Sequence, residues 1–196
     1  KYEEAIYYYD MAIKINAQDV PAWYKKGYAF FYIEKYDYAI KCFDKSLDID
    51  PTYYKSLNGK GIVFCKIGNY EESIKCFDKT LEIKPDEPIA LSNKGYTLFE
   101  LHHYEEAIKY FDRAIEIEPC LESPWYYKGK TSKELGKYEE AIKYFDKAIE
   151  LNHEYISSWY SKGEALKELG RYDEAIKCYD KTTELAPYYI FAWYSK

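Results

Sequence analysis

Tryptophan stands at Trp23, Trp125, Trp159 and Trp193, positions separated by whole multiples of 34, with Leu57 and Leu91 filling the two intervening places. Gly27, Gly61, Gly95, Gly129 and Gly163 keep the same step, as do Tyr2, Tyr36, Tyr70, Tyr104, Tyr138 and Tyr172. A strict period of this length means a stacked array, because one unit cannot bury its apolar face alone and does so against its neighbours. Each unit holds two apolar-periodic stretches of about a dozen residues, an ordinary helix length, so the expected fold is all-α. Gly68, Gly136 and Gly170 fall between the two stretches, where a left-handed helix cap is easiest for glycine. Pro51, Pro85, Pro119 and Pro187 close the second stretch, and Pro88 and Pro124 lie at helix starts.

On the second helix, Asp37→Lys41, Glu71→Lys75, Glu105→Lys109, Glu139→Lys143 and Asp173→Lys177 place an acid four residues before a lysine. That spacing predicts a row of ion pairs on a solvated outer face, each contributing about 0.2–0.5 kcal/mol. Gly27 and its equivalents are expected opposite Ala39 and its equivalents, so that two helix backbones approach closely.

One unit reads Trp23, Gly27, Phe30, Tyr36, Ala39, Phe43, Ser46, Pro51; another reads Trp125, Gly129, Ser132, Tyr138, Ala141, Phe145, Ala148, with His153 in the proline place. This pattern resembles the tetratricopeptide repeat over essentially the whole chain. Departures are small: Leu57 and Leu91 for Trp, Ser73, Thr80 and Thr182 at small-residue places, and Ala17 at a proline place. The resemblance implies an α-solenoid, a right-handed superhelix of helix-turn-helix units whose first helices line a concave groove. The expected divisions of a single array are a partial repeat over 1–19 (second helix only), full repeats over 20–53, 54–87, 88–121, 122–155 and 156–189, and the start of a further repeat over 190–196. On this reading the chain begins and ends inside a repeat and is an excised piece of a longer array or multidomain protein.

Composition excludes several function classes. A formal net charge of −6 disfavours nucleic-acid binding. No apolar run reaches the length of a membrane span, and no signal peptide is visible. The five cysteines show no CxxC spacing, and Cys42, Cys76 and Cys178 share one repeat place with Tyr110 and Tyr144. A residue interchangeable with tyrosine fills space, so these are read as reduced structural thiols, which favours the cytoplasm. His102-His103 fall in a helix-helix turn and His153 replaces a proline, with no further ligands at metal-binding spacing. Gly59-Lys60-Gly61 lies inside a helix and is no phosphate cradle. No metal, no cofactor and no catalytic group is expected, so the chain is not read as an enzyme.

What remains is the inner surface. The residues expected to line it are Tyr24, Lys25, Tyr28, Phe31 and Tyr32 in the first full unit, then Lys55, Asn58, Ile62, Cys65 and Lys66. They continue with Ile89, Ser92, Asn93, Tyr96 and Phe99; Tyr126, Tyr127, Lys130 and Lys133; Tyr160, Ser161, Glu164 and Lys167; and finally Phe191 and Tyr194. Tyrosine supplies rigid area with a hydrogen-bonding tip, as binding surfaces use it. The alternative is that several of the 26 tyrosines pack between repeats. Asn58 and Asn93 are poor helix formers in mid-helix, at places where the resembling family often grips a ligand backbone; solvated bystanders are the alternative. The chaperone-tail clamp of some family members is not expected. Only Asn93 coincides with it, and Tyr24, Tyr28, Ile89, Ser123 and Tyr127 occupy the remaining clamp places. The expected function is a protein–protein interaction scaffold whose groove takes a peptide with apolar anchors and one charged flank. The alternatives are a self-associating array stacking head to tail through its open ends, or a regulatory array attached to a catalytic domain outside these residues.

Overall fold

The computed structural model describes residues 1–196. It is 79% helix with no strand, and its twelve helices follow one another in pairs. The chain divides into two compact units, Lys1–Thr97 and Leu98–Lys196. The first holds α1 (Tyr2–Ile15), α2 (Val20–Tyr32), α3 (Tyr36–Ile49), α4 (Tyr54–Lys66), α5 (Tyr70–Ile83) and most of α6 (Pro88–Glu100). The second holds α7 (Tyr104–Ile117), α8 (Glu122–Glu134), α9 (Tyr138–Leu151), α10 (Ile156–Glu168), α11 (Tyr172–Leu185) and α12 (Ile190–Ser195). No helix is long and apolar enough to cross a membrane.

In the first unit α2 packs on α3 and α4 on α5, and the first helices α2 and α4 also touch. In the second unit α8 packs on α9 and α10 on α11, with α8 touching α10. The turns explain the pairing. Gly68, Gly136 and Gly170 take φ of 78°, 73° and 73°, as the sequence predicts. Where no glycine is available, Glu34 and His102 adopt the same left-handed conformation, at 59° and 62°.

The core of each repeat is one aromatic ring. Phe43 and Phe77 in the first unit, and Phe111 and Phe145 in the second, have no exposed surface, and Tyr179 is 1% exposed. The repeat glycines face these rings. A Cβ on Gly27 would lie 2.6 Å from Phe43, one on Gly61 2.7 Å from Phe77, one on Gly129 2.6 Å from Phe145 and one on Gly163 2.5 Å from Tyr179. Glycine here leaves room for a ring of the second helix.

The expected i,i+4 ion pairs do not form. Lys75 turns to Glu72, and Lys45, Lys147 and Lys181 likewise pair at i,i+3 with Asp48, Glu150 and Glu184. A different ladder takes their place, joining each first helix to the second helix before it. In the first unit Lys26 meets Asp10 at 2.6 Å, Lys60 meets Asp44 at 2.6 Å and Lys94 meets Asp78 at 2.5 Å. In the second, Lys128 meets Asp112, Lys162 meets Asp146 at 2.5 Å and Lys196 meets Asp180 at 2.5 Å. Tryptophan fixes the entry to the first helices in the same periodic way. The indole N–H groups of Trp23, Trp125, Trp159 and Trp193 donate to the carbonyls of Ala17, Pro119, His153 and Pro187, each six residues back, at 2.9–3.0 Å.

Candidate functional site

The first helices carry the candidate residues unit by unit, most of them half-buried. In the first unit, Asn93 Nδ2 on α6 donates to Asn58 Oδ1 on α4 at 3.3 Å. Both side chains are half-buried. The two asparagines that stood out as poor helix formers are therefore joined side chain to side chain. Tyr24 packs edge-on against Tyr28, with ring centres 5.1 Å apart, and against Tyr53, 5.5 Å away. Burial raises the Tyr28 phenol well above its ordinary range. Phe31, half-buried, packs edge-on against Tyr28 and also against Tyr36, at the rim of the cluster around Ala39, Phe43 and Val63. Lys55 is exposed, and Ile62 and Tyr96 are half-buried.

In the second unit Tyr126 packs on Tyr155 at 5.1 Å and Tyr160 on Tyr189 at 5.2 Å, repeating the Tyr24–Tyr53 contact. Tyr127 stacks on the buried Phe111, with an interplanar angle of 16°. Lys130 sets its ammonium 4.8 Å from the centre of the Phe99 ring. Glu164 accepts from the Tyr179 hydroxyl at 2.5 Å and from Lys167 at 3.0 Å. Burial pulls the Glu164 carboxyl upward, but these two hydrogen bonds outweigh it and hold the group below the usual carboxylate range. The four other core rings are phenylalanine, so the hydroxyl of Tyr179 answers the charge at Glu164.

Sequence reasoning missed Tyr53, Tyr155 and Tyr189, which precede first helices, and it missed the role of Tyr179. All four were discoverable from the same step: Tyr155 and Tyr189 are one period apart, and Tyr179 replaces phenylalanine in the repeat whose first helix carries Glu164.

The remaining chemistry is sparse. A surface depression of about 680 Å³ beside the start of α7 is lined by His102, His103, Glu105, Glu106, Lys109, Tyr110 and Arg113. No group of three or more His, Cys, Asp or Glu side chains is placed to hold a metal ion. Cys42, Cys76 and Cys178 are buried free thiols, pushed by burial up to about 11, whereas Cys120 is exposed.

Paired helices repeating around a ring-on-glycine core define a helical repeat protein. Family models described as tetratricopeptide repeat match residues 20–53 and 52–118, together half of the chain. A further model, described as anaphase-promoting complex, cyclosome, subunit 3, matches residues 100–182. The chain belongs to the tetratricopeptide repeat family. Among solved structures, MamA is 25% identical with a TM-score of 0.69, over 81% of this chain and 93% of that one. YrrB, described as a TPR protein with an unusual peptide-binding site, is 20% identical with a TM-score of 0.67, over 95% of this chain and 96% of that one. The Cut9–Hcn1 hetero-tetramer of APC/C contains a chain that is 18% identical with a TM-score of 0.91; all of this chain aligns to 39% of it. The last two likenesses concern the fold alone. No curated protein matches the chain.

Proposed function

We propose that this chain is a non-catalytic protein-interaction scaffold that binds a peptide or exposed protein segment across the face of its first helices. The Asn58–Asn93 amide pair carries the reading. Their mutual bond leaves an N–H donor on Asn58 and a carbonyl acceptor on Asn93, the two groups that a peptide unit of a ligand backbone requires. Around them Tyr24, Tyr28 and Tyr96 offer ring area with a polar tip. In the second unit Tyr126, Tyr127 and Tyr160 offer the same, with Lys130 and Glu164 adding charge. The peptide-binding site named for YrrB, a protein of the same fold, supports the reading. Buried, reduced thiols suit a cytoplasmic setting, and a net charge of −6 favours a protein partner over a polyanion.

The test is selection of peptides from a random phage-displayed library on the whole chain, followed by calorimetric titration of the selected sequences. Joint replacement of Asn58→Ala and Asn93→Ala is expected to weaken binding by about tenfold or more, with helicity unchanged. Affinity indifferent to this pair, and also to Tyr28→Ala and Tyr96→Ala, would remove the first-helix face as the site.

A further inference from the structure

In the second unit most lysines of the first helices are tied to carboxylates, and Lys130 and Lys133 on α8 are not. Lys128 and Lys162 belong to the interhelical ladder, and Lys167 holds Glu164. Lys130, two residues beyond Lys128 on α8, makes no ion pair. Its ammonium lies 4.8 Å from the Phe99 ring centre and 6.0 Å from that of Tyr127. Burial lowers its pKa, against the opposing pull of Glu100 and Glu134, while Lys133 adds to the fall. Aromatic faces offset part of the hydration an ammonium loses, yet they satisfy none of its three N–H donors. The carboxylate at the matching place one repeat on, Glu164, already accepts from Tyr179 and Lys167.

We propose that Lys130 is the anchor for a carboxylate of the bound segment, so that the partner is an acidic peptide where it crosses α8. This rests on the first-helix face being the binding face, and it assigns the sign of the charged flank. The rings of Phe99 and Tyr127 hold the ammonium in place beforehand, so an incoming carboxylate meets a positioned and partly dehydrated donor. Lys133, on the same helix, adds positive charge, set against the nearby carboxylates of Glu100 and Glu134. Such a contact weakens as salt is raised.

The experiment uses a phage-displayed library of random dodecamers selected on the 196-residue chain. Synthetic copies of the selected peptides are then titrated calorimetrically. An Asp or Glu at a fixed place among them is expected. Lys130→Met, which keeps an unbranched chain on the rings, should weaken binding about tenfold or more. Lys130→Arg should retain most of the affinity. Replacing the peptide acid by its amide should cost the same factor on the unmodified protein and nothing on Lys130→Met. Peptides without acid preference that bind Lys130→Met undiminished, but are lost on the Asn58→Ala, Asn93→Ala protein, overturn the carboxylate anchor and leave the first-helix face standing. Peptides indifferent to every variant remove both. An unchanged melting temperature for Lys130→Met assigns its loss of binding to the anchor and not to the fold.

Discussion

Gly129→Ala tests the packing rule on which the fold rests. The added methyl would sit 2.6 Å from Phe145 Cε1 and 2.7 Å from Cδ1. Carbon atoms rest at about 3.5–4.0 Å, so the ring must retreat by about 1 Å. Phe145 has no exposed surface and belongs to a buried cluster with Ala141, Ile142, Ala165, Ala175 and Tyr179, so it can retreat only by displacing packed neighbours. Overpacking of this kind costs about 1–3 kcal/mol, and the better helix propensity of alanine offsets about 1 kcal/mol of it. The net expectation is a loss of up to about 2 kcal/mol. Phe145→Leu removes part of the ring and leaves a void that the methyl fills, so the double variant should lose less than the sum of the two singles. Urea unfolding followed by circular dichroism measures the loss. Amide hydrogen exchange in α8 and α9 localises it, which matters because repeat arrays do not unfold as one unit. A Gly129→Ala protein more stable than its parent, or strict additivity in the double variant, would refute the reasoning.

Three further outcomes follow from buried polar groups. Ser158 Oγ is buried without a hydrogen-bond partner, because its counterpart on the second helix is Ala148, whereas Ser56, at the same place three repeats earlier, bonds Ser46 at 2.7 Å. Ser158→Ala should therefore raise stability by about 1 kcal/mol in urea unfolding, and Ser56→Ala should lower it. Tyr179→Phe removes the hydroxyl that helps hold the Glu164 pKa below its ordinary value. A depressed carboxylate stabilises the fold above its unfolded pKa, and this contribution is lost as pH falls through the folded value. The variant should therefore be weaker by about 1–2 kcal/mol at neutral pH and converge with the parent in acid; a gap that persists in acid contradicts the assignment. With a disulfide-exchange reagent at pH 8, exposed Cys120 should react quickly, while Cys42, Cys76 and Cys178, pushed up to about 11, should react only on unfolding.

Helix pairs, turn glycines, closing prolines and space-filling cysteines were legible because each recurs at one step and acts within its own repeat. The Lys–Asp ladder was not. Its partners lie sixteen residues apart on different helices, and the local i,i+4 rule offered a competing acid for the second-helix lysines. Geometry then favoured i,i+3 partners there, as at Glu72–Lys75. Phe31 was half legible in the same way: helix spacing puts it beside Tyr28, and the turn into α3 adds its contact with Tyr36. The site itself was half visible. Asn58 and Asn93 stood out by helix propensity, whereas their mutual bond needed α4 and α6 side by side. Lys130 reads in the sequence as one lining residue among many. Its distinction, a cation on two rings with no ion pair, exists only in three dimensions.

The most direct measurement is site-specific photo-crosslinking in the source cells, with benzoylphenylalanine placed singly at Tyr96 and Tyr160 on first helices and at the exposed Tyr38 and Tyr172 on second helices. A partner segment lying across the first helices predicts discrete adducts from Tyr96 and Tyr160 that disappear in the Asn58→Ala, Asn93→Ala protein. Adducts arising from Tyr38 and Tyr172, with none from the first helices, would contradict the account.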